Sequence, residues 1–214
     1  MNSTGELHAL KLYDRELSGN AYKVRLLLAF LRLPYARIPI ALHAGRNLVD
    51  DTYIRLNPRG EIPTLLDGEV CLWGSTAILC YLARRYDPAR TWLPDDPILF
   101  GQVMQWLELA QNEIQTGLFR ARAIAKFGVT GNPDAAHTDA LRALTVLESR
   151  LNAAQWLAGP YPTIGDIACF PYVALAEEGG VDTTPYAGVC RWVRDFCTLE
   201  RFVSMPGITQ AKGA

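Results

Sequence analysis

The chain is predicted to be an α+β protein: an N-terminal domain of βαβαββα order, a small mixed sheet covered by helices, followed by an all-α C-terminal domain. Three observations predict this. Strand-like and helix-like periodicities alternate through the first 86 residues. The stretch Asp87 to Pro97 holds three prolines and no periodicity, and so reads as a linker. From Ile98 onward every periodic segment is helical. The expected division is 1–86, 87–97 and 98–214.

His8 to Tyr13 ("HALKLY") alternates as a strand does. Asn20 to Leu33 carries Tyr22, Leu26, Ala29, Phe30 and Leu33 at helical spacing, and Pro34 ends that helix. Tyr35 to Leu42 is a second strand; Pro39 lacks an N–H and places it near a sheet edge. "NLVDDTYIRLNP" forms a short amphipathic helix that stops before Pro58. "EIPTLLDGEVCLW" is a hairpin turning at Asp67-Gly68. Ser75 to Tyr86 is a helix with Ser75 as its expected N-cap. In the second half, one long or bent helix runs from Ile98 to Gly128. Further helices span Asp134 to Gly159, Thr163 to Gly180 and Tyr186 to Leu199. Thr163 and Asp166 have the spacing of a capping box, and Pro171 should bend the third of these helices.

Composition excludes several classes. The formal net charge is −1 and no basic stretch stands out, which argues against nucleic-acid binding by phosphate neutralisation. No apolar run reaches the roughly 18 residues that a membrane span needs. The five cysteines are scattered among apolar neighbours and read as reduced thiols of a cytoplasmic protein. His8, His43 and His137 are isolated, so no metal site is expected.

Four local features, in order, resemble the glutathione transferase family, in its bacterial, serine-type, theta-like form. They are "SGNAYKVRLLLAFL" at the first helix, "NPRGEIPTL" (Asn57 to Leu65), "STAILCYLARRY" (Ser75 to Tyr86) and "TIGDIACF" (Thr163 to Phe170). The resemblance implies a thioredoxin-like fold for the N-terminal domain and conjugation of the glutathione thiolate to a small hydrophobic electrophile, with glutathione as co-substrate and a homodimer as the assembly. Two alternatives stand beside it. One is a glutathione-dependent disulfide or peroxide reductase. The other is a non-catalytic adaptor on the same fold.

The resemblance also assigns residues. A cis bond is expected at Ile62-Pro63, with the backbone of Ile62 pairing with the cysteinyl part of glutathione as an added strand. Ser75 opens a helix whose free N–H groups favour an anion, here the γ-glutamyl carboxylate. Ser18 stands where serine-type members carry a hydroxyl that stabilises the thiolate. It is also a good N-cap, and its lone pairs can serve the helix while its proton faces a sulfur. Asn20 is a second candidate donor, and the one that the reductase reading favours. Tyr13 is a rival, although ungapped matching puts Asp14 at the tyrosine position of other classes.

The pattern departs in two places. Gly74 stands where Glu or Gln usually meets the α-amino group. Glu61 stands where Lys or Gln often reaches the glycyl carboxylate. Weaker glutathione binding is expected unless Arg15, Arg46 or Asn47 compensates. The electrophile pocket is expected between Asp14–Leu17 and the middle of the long helix, with Gln111, Asn112, Gln115, Phe119 and Arg120 as walls. Trp106 is expected in the core.

Overall fold

The computed structural model describes residues 9–43, 46–47 and 50–210; the side chains of 42–43 and 46–47 fall outside that set. The first half runs β1 (Leu10–Asp14), α1 (Gly19–Phe30), β2 (Tyr35–Pro39), β3 (Leu42–His43), β4 (Arg46–Asn47), α2 (Asp51–Leu56), β5 (Thr64–Asp67), β6 (Val70–Trp73) and α3 (Ser75–Tyr86). β2, β1, β5 and β6 form one mixed sheet in that order, parallel between β1 and β2 and antiparallel elsewhere. β2 ends at Pro39 on the sheet edge, as the missing N–H requires. The two-residue pair β3–β4 is a separate small ribbon that the sequence reading does not contain.

The two faces of the sheet are built differently. Leu10, Leu12 and Asp14 alternate onto the buried face of β1, where Leu12 joins a core with Val24, Leu27, Ile78 and Leu82. Tyr13 points the other way and packs on Tyr53 of α2, with ring centroids 5.2 Å apart. α2 begins at Asp50, whose carboxylate accepts the Tyr53 N–H at 2.8 Å.

The second half is α4 (Pro97–Gln111), a π-helical turn (Ile114–Phe119), α5 (Arg120–Phe127), α6 (Pro133–Leu151), α7 (Ile164–Ala174), a 3₁₀ turn (Ala176–Gly179) and α8 (Ala187–Cys197). The expected bent helix is therefore α4 and α5, with the π turn as the bend. That turn's extra residue shifts the side-chain register between the two helices. The helix expected to reach Gly159 ends at Leu151. Leu157 N–H, beyond it, is instead tied to Asp166 Oδ1 at 3.0 Å. Trp106 is half-buried against the core.

α1 does not have the single apolar stripe of a surface helix. Ala21, Tyr22, Lys23, Val24, Leu26, Leu27 and Leu28 are all fully buried, because α1 packs against both α3 and α7. Rings join the two halves as well: Phe30 stacks on Trp92 at 4.8 Å, and the Tyr22 hydroxyl donates to Val203 C=O at 2.6 Å.

α7 starts with the expected capping box. Thr163 Oγ1 accepts from Gly165 N–H, and Asp166 Oδ2 accepts from Thr163 N–H at 2.9 Å. The other oxygen of Asp166 accepts from Leu157 N–H and from Trp192 Nε1–H, both at 3.0 Å. One fully buried carboxylate thus satisfies donors from three segments. Replacing it by Ala orphans all three N–H groups, at about 1–3 kcal/mol each when buried. Asp166→Ala should lose at least about 3 kcal/mol in chemical denaturation. A loss under about 1 kcal/mol would contradict this account of the α7 start.

Candidate active site

Between the two halves lies a cleft of about 880 Å³. One wall comes from the sheet side: Ser18, Asn20, Glu61, Ile62, Gly74 and Ser75. The other comes mainly from the helical side: Gln111, Gln115, Phe119, Arg122, Phe127 and Tyr172. Arg15 and Leu17, in the turn between β1 and α1, complete it.

The Ile62–Pro63 bond is cis. The segment before it is clamped by two donors on one carbonyl. Asn57 Nδ2 and the Tyr53 hydroxyl each donate to Glu61 C=O at 2.6 Å. Both groups also lie within reach of Thr64 Oγ1, at 3.1 and 2.9 Å. This buried network fixes the backbone of Glu61 to Pro63 against the start of β5. The Glu61 side chain turns outward and pairs with Arg59 at 2.9 Å. Arg59 also lies over the Trp73 ring, at 5.8 Å from its centroid, so a cation accompanies the unexpected carboxylate on that wall.

Gly74, not Ser75, holds the N-cap position of α3; Ser75 is its first helical residue. Gly74 has φ +85°, a conformation that L side chains rarely adopt and that glycine takes without strain. A glycine brings no capping oxygen, and α3 has no side-chain cap bond. Its first N–H groups therefore face the cleft end of the helix beside the buried Ser75.

Ser18 is the N-cap of α1: its Oγ accepts from Ala21 N–H at 3.2 Å, and its own N–H donates to Arg15 C=O at 3.0 Å. The hydroxyl proton has no acceptor among the described residues. Asn20, in the first turn of α1, has a buried Oδ1 with no partner. Two polar groups are thus left open where the α1 dipole favours negative charge.

Tyr172 is a wall residue that the sequence reading missed. It lies on α7 and comes against Gly19, where an added Cβ would sit 2.6 Å from its ring. Burial pushes the pKa of its hydroxyl up, with Arg122 and then the backbone of Asn20 acting in the opposite sense. A tyrosine within an apolar helix carries no signal that it faces a distant helix start. Arg122 was missed for the same kind of reason. Read on α5 alone it looks solvated, yet its side chain is 2% exposed.

Other expectations are corrected. Asp14 is not a pocket wall. It is fully buried behind β1 and paired with Arg37 at 2.5 Å and Arg25 at 3.3 Å, because strand alternation turns it into the core. Tyr13 does not line the cleft, since its ring packs on α2. Asn112 bonds back to Glu108 C=O at the end of α4, and Arg120 is exposed on α5; neither lines the cleft. The side chains of Arg46 and Asn47 lie outside the described residues. Leu17, Gln111, Gln115 and Phe119 do line the cleft. Among the described residues no His, Cys, Asp or Glu group is arranged to hold a metal ion.

A thioredoxin-like sheet domain, a mostly helical remainder and a cleft at their junction define the class. Residues 8–84 match the family model described as glutathione S-transferase, N-terminal domain. The chain is 31% identical over 192 residues to the glutathione S-transferase GstB of Escherichia coli, covering 86% of this chain and 90% of that protein. It is 32% identical over 166 residues to glutathione S-transferase 3 of Zea mays, covering 73% of each. The crystal structure of a glutathione S-transferase from Pseudomonas fluorescens superposes with a TM-score of 0.85 at 33% identity, over 92% of this chain and 98% of that one. The chain belongs to the glutathione S-transferase family.

Lys23, just behind this site, is fully buried, and its Nζ has no hydrogen-bond partner. It lies 5.2 Å from the Tyr172 ring centroid. Burial lowers its pKa from 10.5 to about 8, with a smaller opposing effect from Cys169. Unfolded, the amine keeps its proton up to about pH 10.5; folded, it releases it near pH 8. Between these values the unfolded chain binds the extra proton, so stability rises with pH. Below that window the penalty is fully present and on the order of 3 kcal/mol. Lys23→Met should therefore be more stable than wild type in denaturation at pH 7, with the gain shrinking from pH 8 to 10.5. A destabilised variant at pH 7, or a gain that does not change with pH, would contradict the buried, unpaired amine.

Proposed function

We propose that the protein conjugates glutathione to small electrophiles, as a cytoplasmic homodimer. Residues 1–86 are its glutathione-binding domain, 87–97 its linker and 98–214 the domain that forms the electrophile pocket. The observation that carries the reading is Ser18: its Oγ accepts at a helix N-terminus while its proton remains free to donate into the cleft. In this reading the backbone of Ile62, held by Asn57 and Tyr53, pairs with the cysteinyl residue. Ser75 and the uncapped start of α3 take the γ-glutamyl carboxylate.

A free thiol with pKa about 8.5 is only a few per cent thiolate at neutral pH. A hydroxyl donor and a helix N-terminus both favour the anion. The thiol proton leaves to solvent, the sulfur forms a bond to the electrophilic carbon, and the leaving group departs with the electron pair it shared with that carbon. The protein contributes orientation and thiolate stabilisation.

The test is steady-state turnover of an aryl halide and of a glutathione-linked disulfide, with calorimetric titration of glutathione. In Ser18→Ala, kcat/KM for the aryl halide should fall about 10²-fold. Loss of the cap should cost about 1 kcal/mol of stability, so melting is measured alongside. Turnover of the disulfide alone would favour the reductase reading, in which Asn20 takes the leading role as donor through its amide nitrogen. Failure to bind glutathione would leave only the adaptor reading. Light scattering tests the dimer.

A further inference from the structure

We propose that the helical side of the cleft is an anion subsite, so that the second substrate is a small electrophile bearing a carboxylate next to an apolar or aromatic group. Its assignment to the second substrate rests on the glutathione reading above; the subsite itself does not.

Two guanidinium groups share one aromatic ring. Arg15 Cζ and Arg122 Cζ each lie 5.1 Å from the centroid of Phe127, and all three residues line the cleft. The Arg122 side chain is 2% exposed. Its Nε is bonded to Glu178 at 2.5 Å and its Nη1 donates to Leu17 C=O at 2.9 Å, but its Nη2 has no partner. The Arg15 guanidinium has no hydrogen bond or ion pair among the described residues, and its Nε is buried and unpartnered. Glu178 is the one carboxylate paired with this cluster among the described residues, and Lys126 shares it. Three cations therefore meet one anion.

Such an arrangement carries an electrostatic cost. Burying a cation without a counter-charge is costly, and two adjacent cations repel. The effect is visible on Arg15, whose proton affinity is held below its ordinary value by burial first and by Arg122 second. No carboxylate acts in the opposite sense there. A ligand that brings a negative charge relieves both penalties. The surroundings favour an organic acid. Phe119, Ala123 and Leu17 offer apolar contact beside the cations, and the flat guanidinium fork matches the two oxygens of a carboxylate.

The two carboxylates of glutathione are the other possible source of this charge, and the test separates them. Phenylacetate and its neutral isostere phenylacetamide are titrated against the full chain by ligand-observed NMR, with and without saturating glutathione. Phenylacetate should bind about tenfold more tightly than phenylacetamide, the ratio that about 1.4 kcal/mol provides. Glutathione should not displace it. Arg15→Gln, checked first for an unchanged melt, should bring the ratio close to one. Arg122 is not used because its contacts to Leu17 and Glu178 also hold the fold. Equal affinity of acid and amide for the wild-type chain overturns the proposal, and so does a ratio that survives Arg15→Gln. Displacement of phenylacetate by glutathione also overturns it, by giving the guanidinium groups to the tripeptide. Failure of glutathione to bind in calorimetry sinks the functional reading alone, since the acid–amide comparison needs no glutathione.

Discussion

The close approach of α7 to the start of α1 is the constraint on which the site depends. Gly19 has no Cβ because the Tyr172 ring occupies the place where one would go. That contact seats the helical half against the sheet half, buries α1 on two sides and closes one end of the cleft. It also decides which groups are left open. Ser18 caps α1 from outside the contact, the Asn20 Oδ1 beside it is buried without a partner, and Lys23 is trapped beneath the ring. α7 can hold this position because its own start is secured by Asp166, which ties it to the segment after α6 and to α8.

A second set of contacts prepares the opposite wall. Asn57 and Tyr53 converge on a single carbonyl and fix the backbone around the cis bond at Ile62–Pro63. The wall is therefore a backbone edge held by buried side chains, which makes its geometry insensitive to the exposed Glu61. The two walls differ in character. The sheet side offers backbone groups, a hydroxyl and a helix start, whereas the helical side offers rings and guanidinium groups. A tripeptide with a fixed backbone suits the first, and a variable small molecule suits the second.

The fold was largely legible in the sequence, because its signals are local. Proline placement marked the edge strand β2, the Asp67-Gly68 turn marked the β5–β6 hairpin, and the Thr163–Asp166 spacing marked α7. Ser18 was legible because a cap is a local motif. Tyr172 and Arg122 were not, since each reaches the cleft only through packing between distant helices. Asp14 was misplaced because its position beside Ser18 in the chain suggested the pocket, while strand alternation sends it to the other side. Gly74 illustrates the opposite case. A residue that reads in the sequence as a missing contact also sits at a backbone angle that glycine takes without strain and that only the structure displays.

The central claim is that Ser18 directs its proton at a sulfur bound in this cleft. The most direct measurement is the pH titration of enzyme-bound glutathione by the ultraviolet absorbance of its thiolate, for wild type and for Ser18→Ala. The account predicts a bound thiol pKa at least about one unit below that of free glutathione in the wild type, and recovery of most of that difference in the variant. A bound pKa equal to the free value, or one equally depressed in both proteins, would contradict it.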